Sequence, residues 1–234
     1  MKKKSEAGYN ERLFSGGIRG RFHNARYQWV ADRIVDLGCA TDSILELGCF
    51  DGKVIDYLPR KPSVYLGLDA NWENGLDLAR KKWANHPEYV FRECTRPEEM
   101  RTQGREFDVS LCMETLEHIP PNLVRPYLKE LGKVTRSYLL ITVPNEIGPV
   151  FLSKYAVKSV FGDVERYTPA EVMYAALGRA DKVERSEHKG FDYRRLVDDV
   201  SKYFEVIEVS GHPIGLAPPM LNYGIGIVGR VRSP

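Results

Sequence analysis

Short apolar runs alternate along the chain with longer segments in which apolar residues are spaced as on one face of a helix. The apolar runs predict strands at 43–48, 63–69, 88–92, 106–112, 137–143, 204–210 and 223–229. Helices are predicted at 21–37, 73–84, 122–131 and 192–203, with a further helix near 52–58. Strands that alternate with helices are typical of a doubly wound sheet. The pattern predicts one α/β domain over residues 1–234, with a seven-stranded, mostly parallel sheet.

One long segment, 145–190, interrupts this alternation between the fifth and sixth strands. Within it, Thr168 followed by Pro169 and Glu171 has the arrangement of a helix N-cap with a capping box. A long connection at the carboxyl end of a parallel sheet often forms a lid or contacts the substrate. We therefore expect 145–190 to be a lid or substrate insertion, although an extra packing subdomain or a dimer contact would show the same pattern.

Composition narrows the class of protein. The formal net charge of +2 over 234 residues gives no reason to expect nucleic-acid binding. No apolar stretch approaches the ~20 residues that span a bilayer. The four cysteines form no C-x-x-C pair, so we expect neither a zinc site nor a disulfide framework, and a reduced, cytoplasmic protein. A homodimer is left open, because the glycine-rich strand at 224–229 could lie at an interface.

The most informative stretch is the turn after the first strand. Gly48 and Gly52 bracket it, and glycine allows the backbone positive φ and a close approach to another group. The next strand ends on Asp69, 21 residues after Gly48. A carboxylate at that point is typical of nucleoside-binding βαβ units, in which it binds the ribose hydroxyls. The G-x-G-x-x-G and P-loop motifs are absent, which argues against a dinucleotide or P-loop site.

The turn, Glu46-x-Gly48-x-Phe50-x-Gly52, resembles the E/D-x-G-x-G-x-G first motif of class I S-adenosylmethionine (SAM) methyltransferases, and Phe50 stands at the usual middle glycine. The resemblance is to the small-molecule "type 11" group and covers 43–145, and 190–230 more loosely. It implies a Rossmann-like fold and SAM as cofactor. The residues that it places against SAM are Glu46, Gly48, Cys49, Phe50, Gly52, Asp69, Ala70, Cys94, Thr95 and Met113.

Two parts of this cofactor site depart from the family pattern or remain open. Cys94 and Thr95 follow the third strand where an aspartate commonly meets the adenine, so their backbone would have to serve. The segment 1–40 resembles the part that covers the cofactor. Arg26 is predicted to hold the SAM carboxylate, and Arg12, Arg19 and Arg21 are its alternatives. Surface charge on a partly buried helix is the other interpretation of each arginine.

The strongest chemical signal is Glu114-Thr-Leu-Glu117-His118, directly after the fourth strand. If this segment forms one helical turn, the two carboxylates and the imidazole share a face. His118 could then act as a general base, since an unperturbed imidazole has a pKa near ~6.5. Alternatively, the three side chains could bind a divalent cation that acidifies the acceptor hydroxyl. The structural alternative is a hydrogen-bonded turn in which Glu117 only orients His118.

Glu-x-x-Glu-His resembles the ubiquinone-biosynthesis O-methyltransferases. With a later histidine it also resembles the metal site of small-RNA 3′-terminal 2′-O-methyltransferases. That second resemblance implies a Mg²⁺ or Mn²⁺ site formed by Glu114, Glu117, His118 and His188, although a histidine such as His188, taken alone, is more often a surface or lid residue. The sequence thus predicts an O-methyltransferase for a small polar acceptor, with a sugar of a bacterial glycan favoured. The alternatives are a metal-dependent RNA 2′-O-methyltransferase and a non-catalytic SAM-binding module.

Overall fold

The computed structural model describes residues 17–101, 106–161, 167–186 and 188–232. Arg12 lies outside the described residues, as do the side chains of Arg19 and Arg21. The strands are β1 (Ser43–Leu47), β2 (Val64–Asp69), β3 (Tyr89–Glu93), β4 (Phe107–Met113), β5 (Thr135–Pro144), β6 (Phe204–His212) and β7 (Gly224–Val231). The α-helices are α1 (Gly17–Leu37), α2 (Gly75–Lys82), α3 (Pro121–Val134), α4 (Gly148–Phe161), α5 (Pro169–Ala176) and α6 (Tyr193–Val200).

The seven strands form one sheet in the order β3-β2-β1-β4-β5-β7-β6. β7 alone runs in the direction opposite to the other six strands, so the predicted mostly parallel α/β sheet is confirmed. β1 lies between β2 and β4. The sheet continues from β1 to β2 and β3 on one side and to β4 and β5 on the other, so the direction of the strand order reverses at β1. In open α/β sheets, ligands bind in the crevice at the carboxyl ends of the strands at this switch point. The glycine turn and the Glu-x-x-Glu-His segment both lie at that edge.

Helices cover both faces of the sheet with separate apolar cores. Leu128 of α3 and Leu196 of α6 pack on one face, and Ile34 of α1 and Leu76 of α2 pack on the other. Side chains alternate along each strand, so Leu45 and Leu47 face the first core, whereas Ile44 faces the second. The same alternation directs Glu46 to the side that α1 covers.

The predicted helix at 52–58 is wrong, because only a single 3₁₀ turn, Lys53–Asp56, forms there. Pro59 and Pro62 follow closely. The residue before a proline disfavours helical backbone, and the few residues left before it cannot form a stable α-helix. The glycine turn therefore leads into a short connection, not into a long helix.

The insertion 145–190 contains α4 and α5, which share a small apolar core. Phe151 is buried there, and the rings of Tyr155 and Tyr167 pack against it. The predicted capping box is confirmed: the Glu171 N–H donates to Thr168 Oγ1 at 3.2 Å, and the Thr168 N–H donates to Glu171 Oε2 at 2.8 Å. These aromatic residues form a core of the insertion itself.

Two further observations bear on expectations about surfaces. β7 carries the glycine-rich strand and pairs on both sides, with β5 and β6, so it offers no free strand edge to a second copy. Among the described residues, no helix has the length and apolar character needed to cross a membrane.

Candidate active site

The glycine turn is shaped by contacts with the rest of the chain. Gly48 has φ +80° and Gly52 has φ +66°. A Cβ on Gly48 would lie 1.9 Å from Thr115 Oγ1, and one on Gly52 would lie 2.9 Å from the Phe91 ring. A side chain at either position would therefore collide with a neighbouring side chain, so glycine is required at both. What the turn offers a ligand is the backbone between them and the Phe50 side chain.

Phe50 occupies the position of the family's middle glycine with a left-handed backbone, φ +46°. Its ring lies over Gly75 at the start of α2, where a Cβ would approach the ring to 2.4 Å. The Trp72 ring lies beside it, with the centroids 6.1 Å apart. Gly75, which has no side chain, thus leaves space for the Phe50 ring. A phenylalanine therefore fits at the position where the motif normally has a glycine.

Asp69 is buried, with 9% of its surface exposed, and its carboxylate closes the glycine turn. The Phe50 N–H donates to Oδ2 at 3.0 Å, and the Trp72 N–H donates to Oδ1 at 3.2 Å. Burial raises the pKa of this carboxyl, whereas the amide donors lower it. The Asn71 amide is a third donor to this carboxylate. Because the two oxygens together have about four acceptor positions, one remains for a ribose hydroxyl. Ala70, the next residue, is exposed.

Of the remaining residues predicted to meet the cofactor, Cys94 is buried and Thr95 is exposed. The Cys94 N–H donates to the Asp69 carbonyl at 2.8 Å, and the Thr95 N–H donates to Glu99 Oε2 at 2.7 Å. Their amide N–H groups are thus used within the chain and are not available to the ring nitrogens of adenine. Cys49, Cys94 and Met113 are buried in the apolar cores. They can shape this edge of the sheet through their backbone.

Glu46 is a buried acid, 2% exposed, that accepts a hydrogen bond from the Tyr65 hydroxyl. Burial raises the pKa of Glu46 to about 8, and the charge of Arg26 acts in the opposite direction. The folded protein therefore retains a proton that the unfolded chain loses near 4.5. Since the folded state binds more protons at Glu46, the contribution of this residue to the free energy of unfolding falls as the pH rises from about 4.5 to about 8.

Glu46→Gln is expected to reduce this loss of stability, because glutamine resembles the protonated acid and does not ionise. Urea unfolding at a series of pH values from about 5 to about 8 measures the effect. Glu205→Gln is the control, since Glu205 lies at the surface in an ion pair with Arg230. Identical pH profiles for the wild type and Glu46→Gln would contradict the prediction.

The segment after β4 is not one helical turn. Glu114 has a left-handed backbone, φ +48°, and its charge raises the pKa of Glu117. Burial is the main cause that raises the pKa of Glu114, and the charges of Arg26 and Lys154 lower it. The Glu114 carboxyl thus faces α1 and α4. It is not a member of the three-residue group described next.

Glu117, His118 and His188 come together, with one ligand atom from each lying within 4.8 Å of the others. The two imidazole rings are 4.4 Å apart and nearly perpendicular. Three of the four predicted metal ligands therefore converge, from positions about 70 residues apart in sequence. An oxygen and two nitrogens are a donor set that suits a divalent cation.

Glu117 is the most deeply buried member, 1% exposed, and neither carboxylate oxygen has a hydrogen-bond partner among the described residues. His118 Nε2 lies 4.0 Å from Oε1, and the His118 side chain is 48% exposed. Burial, followed by the charge of Glu114, raises the pKa of Glu117 well above its ordinary value. A buried carboxylate without donors is costly, by about 1–3 kcal/mol or more. A bound cation, or an imidazolium at His118, would offset that cost.

Arg185 connects His188 with the turn after β4. Its guanidinium donates to the Glu117 carbonyl and to the Lys189 carbonyl, and it lies over the Phe191 ring. Lys189 pairs in turn with Glu171 at 2.7 Å, which ties the loop to the start of α5. Sequence analysis missed Arg185, because no local pattern indicates a contact across 68 residues.

Arg26 and Lys154 supply positive charge at this edge. Lys154 Nζ pairs with Glu146 Oε1 at 2.9 Å and donates to the Asn145 carbonyl at 3.0 Å, with all three residues buried. Arg26 lowers the pKa of Glu46, Glu114 and Glu117 against the larger effect of burial. Asn145 and Glu146 follow a buried strand directly, a signal that sequence analysis had available and did not use.

This set of charges fits SAM. The cofactor carries a sulfonium, an ammonium and a carboxylate, and the crevice presents buried acids together with one guanidinium from α1. Glu46, Asp69 and Glu114 are the acids, and Arg26, whose charge lowers the pKa of Glu46 and Glu114, is the residue predicted to hold the carboxylate.

Comparison with known proteins identifies methyltransferases. The model of a family described as "Methyltransferase domain" matches residues 44–137. A ubiquinone biosynthesis O-methyltransferase from Neisseria meningitidis serogroup C is 28% identical over 169 residues, which cover 65% of this chain and 68% of the relative.

Two solved structures show the same fold. A SAM-dependent methyltransferase from Clostridium acetobutylicum superposes with a TM-score of 0.65 at 12% identity, covering 96% of each chain. Magnesium protoporphyrin IX methyltransferase from Synechocystis, with bound SAH, superposes with a TM-score of 0.58 at 17% identity, covering 95% of this chain and 92% of that one. With the first motif at the switch point of the sheet and Asp69 at the end of β2, the chain belongs to the class I SAM-dependent methyltransferases.

Proposed function

We propose that this methyltransferase transfers the methyl group to a hydroxyl of a small polar acceptor, with the sugars of bacterial glycans as the favoured class. The observation that carries the proposal is the exposed His118 imidazole beside the buried, unbonded carboxylate of Glu117 at the carboxyl end of β4. A hydroxyl is a weak nucleophile until it loses its proton, whereas an amine needs less help. The name of the Neisseria relative, an O-methyltransferase, supports transfer to oxygen.

SAM supplies an electrophilic methyl group on a sulfonium when it is bound. His118 takes the proton that the acceptor hydroxyl loses as its oxygen forms the bond to carbon. Glu117 stabilises the resulting imidazolium, because its buried carboxylate lies 4.0 Å away. Arg26 holds the cofactor carboxylate and Asp69 its ribose. The insertion 145–190 acts as the substrate platform and contributes His188.

A divalent cation is the second way in which the same side chains could acidify the hydroxyl. Glu117, His118 and His188 would hold it, and the open coordination positions would accept the acceptor oxygen. Mg²⁺ and Mn²⁺ are the ions that we propose.

Glu117→Gln is expected to weaken Mn²⁺ binding by at least roughly tenfold, because it removes the anionic ligand of the site. Calorimetric titration with Mn²⁺ measures the affinity, and Glu205→Gln serves as the surface control. Activity in chelator, before and after Mg²⁺ or Mn²⁺ is added back, gives the functional readout. Full activity in chelator, or unchanged Mn²⁺ affinity in Glu117→Gln, would assign the chemistry to His118 as a base alone.

The proposed function is tested by SAM binding and by methyl transfer to matched sets of acceptors. Calorimetry measures SAM binding first. Transfer is then measured to methyl glycosides, phenols and amines of similar size. Transfer to hydroxyls at a rate that depends on His118 would support the proposal, whereas transfer only to amines would overturn it.

The convergence of Glu117, His118 and His188 also favours a second candidate, a metal-dependent RNA 2′-O-methyltransferase. Binding to a short RNA in increasing salt distinguishes the two candidates. RNA binding through phosphates weakens steeply with salt. Absence of measurable RNA binding at low salt would remove this candidate.

A further inference from the structure

His212, the last residue of β6, is a buried histidine that the proposed chemistry does not use. Its side chain is 7% exposed, and neither ring nitrogen has a hydrogen-bond partner among the described residues. Buried polar groups are nearly always hydrogen bonded, and an exception calls for a physical reason such as a ligand.

The His212 ring packs against a glycine of the neighbouring strand. A Cβ on Gly224, the first residue of β7, would lie 2.2 Å from the His212 ring, and a Cβ on Gly226 would lie 2.2 Å from the Trp29 ring. Gly224 pairs with both His212 and Pro144, the last residue of β5. The imidazole thus lies at the carboxyl edge of the sheet, where Glu114 and Glu117 also lie, beneath helix α1.

The position of β6 places His212 on the acceptor side of the crevice. Asp69 ends β2, and five strand positions separate β2 from β6. Neighbouring strands are about 4.8 Å apart, so the two strands are roughly 24 Å apart. The nucleoside end of the cofactor site lies on the β1–β2 side, whereas His212 lies beyond β5 on the other side.

The surroundings of His212 favour a neutral ligand. Burial, and then the charges of Arg26 and Lys154, lower the pKa of His212 to about 4, so the ring is neutral near pH 7. Lys154 is paired with Glu146, and Arg26 acts on Glu114, so both cations are accompanied by carboxylates. A neutral imidazole offers one donor and one acceptor, which matches the donor and acceptor of a hydroxyl.

We propose that His212 is a specificity-determining residue that hydrogen bonds a second hydroxyl of the acceptor, distinct from the hydroxyl that takes the methyl. The inference rests on the proposed function and adds to it: the acceptor is a polyol, and the enzyme selects against analogues that lack one hydroxyl.

His212→Phe tests the proposal, because it keeps a ring over Gly224 and removes both nitrogens. The probes are the methyl glycosides of glucose, galactose and mannose, each with its matched deoxy analogues. We expect kcat/KM for the preferred polyol to fall roughly tenfold, mainly through KM, and to stay unchanged for the analogue that lacks the bound hydroxyl. His212→Asn should restore part of the preference, and SAM affinity should not change.

His86→Phe is the matched control, since His86 lies at the surface beside Glu88, next to the opposite edge strand β3. Equal loss for a polyol and its deoxy analogue, or no loss for either, would overturn the proposal. Calorimetric binding of the glycosides in the presence of SAH provides a readout without turnover. Binding that depends on His212 without methyl transfer would refute the proposed function alone, and absence of binding to the wild type would refute the assignment of His212.

Discussion

Replacing His118 with alanine is expected to lower kcat by about 10²–10⁴-fold, the usual contribution of a positioned general base. SAM affinity should stay within about twofold, because His118 stands at the carboxyl end of β4 and half of its side chain is exposed. Methyl transfer under saturating SAM measures the effect, and thermal unfolding should show little change. A rate that depends on pH in the wild type and becomes flat in His118→Ala would link the loss to the proton that His118 accepts.

The control for this prediction is His86→Ala, which removes another exposed imidazole with a carboxylate partner, Glu88, at 2.9 Å. It should leave kcat unchanged. Added imidazole should recover part of the activity of His118→Ala if the ring acts as a base. Unchanged kcat in His118→Ala would contradict the proposed role and leave the turn with a structural function.

Gly48→Ala is expected to cost about 2–5 kcal/mol of stability. A left-handed backbone costs a residue with a Cβ about 1–2 kcal/mol, and overpacking typically adds ~1–3 kcal/mol. Both apply at Gly48, which has φ +80° and Thr115 Oγ1 at 1.9 Å from its would-be Cβ. The clash would displace the turn after β4, so SAM binding should weaken as well. Urea unfolding and SAM calorimetry measure the two effects.

Two variants separate strain from clash. Gly38→Ala has φ +56° but no heavy atom within 4 Å of its Cβ, so it should show only the backbone strain. Adding Thr115→Ala to Gly48→Ala removes the two nearest side-chain atoms and should recover part of the lost stability. Equal costs at Gly48 and Gly38 would show that the contact with Thr115 does not constrain the turn.

Sequence patterning was sufficient for the sheet and for most helices, because strand and helix periodicities arise from local burial. All seven predicted strands are present, and Thr168 caps α5 as its capping box indicates. The predicted helix at 52–58 shows where this reasoning ends. The apolar residues there span too few positions for an α-helix, and the prolines that follow prevent the helix from continuing.

The cofactor side of the crevice was predictable to a similar degree. Gly48 and Gly52 indicate a turn by their residue type, and Asp69 is recognised by its spacing from them. The turn and its carboxylate could therefore be located from sequence. The partners of these residues could not be predicted. Thr115 over Gly48 and Phe50 over Gly75 are contacts between distant segments, and the second shows how this turn accommodates a phenylalanine in place of a glycine.

The sequence by itself determined the fold, the family and the edge of the sheet at which chemistry takes place, since these follow from local periodicity and from one motif. Only the tertiary structure decided which polar side chains meet. It left Glu114 outside the group that Glu117 forms with two histidines, brought His188 to His118 with Arg185 bound to the Glu117 carbonyl, and buried His212 beneath α1. Such contacts depend on the packing of strands and loops that are far apart in the chain, and no local pattern encodes that packing.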